Sequence, residues 1–72
     1  MAVIRVPCKK DFNIKAEEIC KWLRINHNLY VEDDFHFWVE RGQETIDFKF
    51  YDEYSYGRTP KGFELMFALK WT

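Results

Sequence analysis

The segment DFHFWVERGQETIDFKF, Asp34 to Phe50, decides the fold. Before Gly42 the odd positions Phe35, Phe37 and Val39 are apolar, and after it the even positions Ile46, Phe48 and Phe50 are. A strand sends alternate side chains to opposite faces, so each half has one apolar face and one mostly polar face. A two-residue turn at Gly42-Gln43 pairs Val39 with Ile46, Phe37 with Phe48 and Phe35 with Phe50, all on one face. The other face collects Trp38 with Asp47, Glu40 with Thr45 and His36 with Lys49. Glycine in the first loop position suits a type II′ turn, whose twist matches that of its strands. A slip of one residue would turn one strand's aromatics into water, so the register is strongly specified. Phe37 and Phe48 are both expected in the core, where truncation leaves a large cavity.

Downstream of the hairpin, Asp52–Gly62 holds Tyr54, Tyr56 and Gly57 and the turn signal Thr59-Pro60-Lys61-Gly62. It reads either as a binding loop or as a continuation of the strand before it. Phe63 to Thr72 alternates again and predicts a last strand, with Phe63, Leu65, Phe67, Leu69 and Trp71 inward. Its outer face would carry Glu64, Met66, Ala68 and Lys70.

Upstream, Ala2 to Val6 predicts a first strand that Pro7 ends, because proline brings no amide hydrogen to a ladder. Asn13 is a good N-cap for a helix from about Ile14 to Asn26. Ala16, Ile19, Cys20 and Leu23 recur at i, i+3, i+4 and i+7, one helical face. Glu17 and Glu18 fall near the positive end of the helix dipole and Arg24 near the negative end. Trp22 lies off the centre of that stripe and Ile25 nearly opposite, at about 100° per residue. Trp22 either covers the edge of the core or, with Ile25, forms a secondary contact surface for a second chain. Leu29-Tyr30-Val31 is a candidate short strand, separate or as the bulged start of the hairpin. The expected class is α+β, one helix packed on one face of an antiparallel sheet, in the order β-α-(β)-β-β-β.

Seventy-two residues make a single domain, 1–72, of a size that buries only about 60% of its unfolded surface. The 19% of aromatic residues compensates, and self-association as a homodimer is the other usual help. Eleven basic and twelve acidic side chains leave a net charge of −1, with no global field to draw the chain onto nucleic acid or anionic lipid. No apolar run is long enough to span a membrane. Two cysteines are too few for a disulfide framework and point to a cytoplasmic location.

Chemistry is sparse. Cys8, Cys20, His27 and His36 are the soft metal ligands, at spacings that match no common zinc motif. Cys8, beside Lys9 and Lys10, has the more electropositive setting of the two thiols. The clusters Glu32-Asp33-Asp34 and Asp52-Glu53 lack calcium-loop spacing, and the three glycines form no phosphate cradle. No cofactor and no enzymatic activity are therefore expected. The expected function is protein binding by a small regulator or inhibitor, a virus-encoded host antagonist being one example. Its contact residues are Trp38, Tyr51 and Met66 on the open sheet face and Tyr54, Tyr56 and Arg58 in the tyrosine segment. The alternative is single-stranded nucleic acid stacked on the outer aromatics. Carboxylates expected on the same face, Asp34, Glu40, Asp47 and Glu64, argue against it.

Overall fold

The hairpin forms in the predicted register. In the computed structural model, which describes residues 3–51 and 62–72, β2 (Phe35–Glu40) pairs with β3 (Thr45–Phe50). Val39 lies opposite Ile46, Phe37 opposite Phe48 and Phe35 opposite Phe50. The turn differs from a two-residue II′ loop. Arg41–Gln43 makes a 3-10 turn, and Glu44 takes the left-handed conformation (φ 54°) before Thr45 restarts the ladder. Gly42 is not among the positive-φ residues, so the unusual backbone falls on a glutamate two positions later.

β1 (Ile4–Pro7) adds to the other side of β3, giving the antiparallel order β1-β3-β2. Pro7 does not end the pairing. It lies opposite Thr45, and the Cys8 amide donates to the Glu44 carbonyl at 2.8 Å. Ladder bonds alternate along an antiparallel strand, so Ile4, Val6 and Cys8 turn their backbone groups to β3 and Pro7 turns away. Its missing hydrogen falls on the open edge, where proline is tolerated.

The helix α1 (Phe12–His27) begins two residues before the expected start. Asp11, not Asn13, occupies the N-cap, with left-handed backbone (φ 56°) and no side-chain capping bond. Phe12 thereby joins Ala16, Ile19 and Leu23 as buried residues, and Cys20 is half-buried. The earlier start also moves Glu17 and Glu18 out of the first turn, while Arg24 and His27 occupy the last. At the exit Asn28 is left-handed, as asparagine tolerates, and the amides of Asn28 and Leu29 bond back to Arg24 and Leu23.

Leu29-Tyr30-Val31 is not a strand. Val31 makes one isolated bridge to Phe35, and a turn follows, closed by the Asp33 and Asp34 amides on the Tyr30 carbonyl. The buried Asp34 carboxylate accepts the Tyr30 amide at 2.8 Å.

The last element is a helix, α2 (Phe63–Trp71), not the expected strand. The segment fits both periods, because Phe63, Phe67 and Trp71 are also spaced by four. It contains no β-branched residue, whereas Leu, Met, Ala, Glu and Lys all favour helix. Phe63 and Phe67 are buried; Leu65 and Leu69, also expected inward, are 68% and 78% exposed. The Phe67 ring centroid lies 5.2 Å from that of Phe48 and 5.0 Å from that of Phe50. Both helices thus share one buried cluster with the apolar sheet face, an α+β arrangement.

Phe48 is fully buried on the central strand and Phe37 only half-buried on an edge strand. Phe48→Ala and Phe67→Ala should therefore each cost about 3–5 kcal/mol. Phe37→Ala should cost clearly less, and Leu65→Ala or Leu69→Ala only about 0.5 kcal/mol. Denaturant melts of the five variants check this order. A severe loss from Leu65→Ala would restore the strand.

Candidate functional site

The outer sheet face is built by register. β1 contributes Arg5, β3 contributes Asp47 and Lys49, and β2 contributes His36, Trp38 and Glu40. Asp47 lies opposite Arg5 on one side and Trp38 on the other. It is buried, not solvated as alternation alone implies. The Thr45 hydroxyl donates to its Oδ1 at 2.7 Å, and Arg5 Nε approaches Oδ2 at 3.6 Å. A carboxylate without water needs such partners. The neighbouring Trp38 is half-buried, with the His36 ring 5.7 Å away. His36 Nδ1 is 2.7 Å from Glu32 Oε1. Tyr51 follows β3 with the parity of Asp47 and Lys49, is half-buried, and donates its amide to the Asp34 carbonyl at 2.9 Å.

Met66 does not join Trp38 and Tyr51. It belongs to α2, as do Glu64 and Lys70, so none of the three stands on the sheet. With Asp34 also buried in its turn, the charges of the outer face among the described residues are Arg5 and Lys49 against Glu40, the covered Asp47 and the Glu32 carboxylate held on His36. Tyr54, Tyr56 and Arg58 lie outside the described residues.

The predicted secondary surface divides. Trp22 is drawn into the contact between the helices, with ring centroids 5.7 Å from Trp71 and 6.4 Å from Phe67. Lys70 Nζ lies 5.2 Å from both the Trp22 and the Trp71 rings, and Lys15 Nζ 5.1 Å from Trp71. Such cations favour the electron-rich ring faces. Ile25 stays 64% exposed. Alternation hid two members of the outward row of α2 (Leu65, Met66 and Leu69), because it turns Leu65 and Leu69 inward. The four-residue spacing of Phe63, Phe67 and Trp71 was the signal that could have revealed it.

The Cys8 thiol is buried and donates to the Lys10 carbonyl at 3.1 Å, not exposed beside its lysines. Among the described residues no group of three or more His, Cys, Asp and Glu side chains is placed to hold a metal. An open hollow of about 300 Å³ between Arg41 and the start of α1 is lined by Asp11, Phe12, Asn13 and Ile14. Its guanidinium stacks on Phe12 at 5.1 Å. No described helix is long and apolar enough to cross a membrane. No protein-family model, curated protein or solved structure matches the chain.

Burial pushes the Cys20 thiol up to about 11, from an ordinary value of 9.0. The folded state holds this proton more tightly than the unfolded chain does. That contribution is complete below pH 9 and lost as pH rises from 9 towards 11. Cys20→Ser should remove this component of the alkaline fall in stability. Alkylation of Cys20 in the native protein should accelerate only as pH approaches 11, and rapid reaction at pH 8 would contradict the assigned burial.

Proposed function

We propose that this domain is a non-enzymatic protein-interaction module, a small regulator or inhibitor of a larger protein. The observation that carries the reading is the outward row of α2. Leu65 and Leu69 are 68% and 78% exposed although the opposite side of the helix is already committed to the core. A helix that is apolar all round is normally covered on both sides. Apolar anchors with charged neighbours, here Glu64 and Lys70, match the make-up of contact patches, a buried centre inside a polar rim. Met66, expected on the sheet, belongs to this row and keeps its proposed role there. Trp38 and Tyr51 form a second, flatter aromatic surface on the opposite side of the sheet, and Tyr54, Tyr56 and Arg58 stay in the proposal on their sequence alone.

A Leu65→Glu, Leu69→Glu variant should melt within a few degrees of the parent, because neither side chain is buried. It should lose a partner that the parent captures and rebinds in purified form. Undiminished binding by this variant would remove α2 from the contact.

Single-stranded nucleic acid is the competing reading, because Arg5 and Lys49 share the outer face with Trp38 and Tyr51. Glu40 and Asp47 offset those cations, and phosphate neutralisation normally dominates such affinity. Titration of a labelled oligonucleotide across a salt series separates the two. Tight binding that weakens steeply with salt, and is lost in Trp38→Ala, would reverse the ranking.

A further inference from the structure

The two edges of the sheet are protected unequally. On β1, Pro7 blunts the open side. β2 has no proline, glycine or lysine; its sequence is Phe-His-Phe-Trp-Val-Glu. Its hydrogen-bonding phase follows from two bonds. The Asp34 carbonyl accepts from Tyr51 beyond the end of β3, so even-numbered residues turn their backbone groups to β3. The Phe35 carbonyl accepts from Glu32 at 2.7 Å on the opposite side, so odd-numbered residues turn outward. Glu32 thus occupies the edge at Phe35. Beyond it, Phe37 and Val39 present amides and carbonyls with no further backbone partner among the described residues. Phe37 and Val39 are also half-buried, whereas Phe35, Ile46, Phe48 and Phe50 on the same sheet face are fully covered. The helical layer therefore leaves this edge open.

We propose that the open edge of β2 pairs antiparallel with β2 of a second copy, about a two-fold axis at Trp38, joining the two three-stranded sheets into one. The proposal rests on the reading of the domain as an interaction module and assigns it a surface other than the α2 row. The axis position follows from the free groups. At Trp38, Phe37 of one copy exchanges both backbone bonds with the partner's Val39, and the reverse on the other side of the axis. An axis at Phe37 would require the Phe35 carbonyl, which Glu32 holds. An axis at Val39 would run the pairing into Arg41 of the 3-10 turn.

The side chains agree with this register. Trp38 faces the partner's Trp38 in a non-hydrogen-bonded pair, where side chains approach most closely and aromatic pairs are favourable. His36 faces the partner's Glu40. Its Nδ1 is engaged by Glu32, which leaves Nε2 for that carboxylate. On the inner face Phe37 meets the partner's Val39, covering the two sheet residues that the helices leave half-open.

Sedimentation equilibrium of the parent and of Val39→Pro, Glu40→Lys and His36→Glu tests this. The parent should show a concentration-dependent dimer. Val39→Pro removes an amide hydrogen that the β2–β3 ladder does not use, so it should keep the fold and raise the dimer Kd by about tenfold or more. Glu40→Lys and His36→Glu should each be monomeric alone, and their mixture should dimerise, because each charged pair across the axis is then restored. A parent that is monomeric up to about 1 mM overturns the proposal. So does a dimer indifferent to Val39→Pro and Glu40→Lys, or a mixture that fails to pair. The α2 reading is tested separately. Leu65→Glu, Leu69→Glu should leave the dimer unchanged, and Val39→Pro should still bind a foreign partner. A dimer lost only in the α2 variant would move the interface there.

Discussion

Everything in this fold depends on the aromatic contact over β3. Phe48 touches Phe35, Phe37 and Phe67, with ring centroids 6.0, 5.6 and 5.2 Å away. Phe50 touches Phe35, Phe63 and Phe67 at 5.5, 5.2 and 5.0 Å. Small chains bury a modest share of their surface, and large rings supply the most apolar area per ordered residue. The central strand provides the two rings that both flanking layers need. β2 closes on them from the side, and α2 closes on them from above. Removing one therefore disturbs strand pairing and helix docking together.

That cluster explains which parts of the fold were legible from sequence. The register of β2 and β3 was readable because Phe35, Phe37, Phe48 and Phe50 allow one alignment that buries them together. The turn was not, because glycine at residue 42 suggested a positive φ there, whereas the positive φ falls on Glu44 (φ 54°, left-handed helical). The last element was misread because Phe63–Trp71 satisfies periods of two and of four at once. What decides is tertiary. Phe67 reaches Phe48 and Phe50 from a helix, while Leu65 and Leu69 stay outside. Composition carried the hint, since the segment lacks any Val, Ile or Thr.

The candidate site was legible only in part. Trp38 and Tyr51 stand on the expected face, but alternation could not show that Asp47 beside Trp38 is sealed by Thr45 and Arg5. Met66 belongs to α2, as do Lys70 and Glu64, one of the carboxylates expected on the sheet face to repel nucleic acid. Trp22 proved to be the cover of one helix on the other. Two surfaces result. One is the outward row of α2, whose Leu65 and Leu69 alternation places inward. The other is the β2 edge, visible only once the bonds of Asp34 and Phe35 fix the phase of the ladder.

The phase of β2 is the most direct point of contact with experiment, because each amide of the strand has its own expected behaviour. Hydrogen exchange followed by NMR in dilute protein should find His36, Trp38 and Glu40 protected by β3, with Phe37 and Val39 exchanging fast. At high concentration the amides of Phe37 and Val39 should become protected, while that of Leu69 keeps the protection of its own helix. Equal protection along β2 in dilute protein would contradict the assigned phase. Fast exchange at Phe37 and Val39 that no concentration slows would leave this edge without a partner copy.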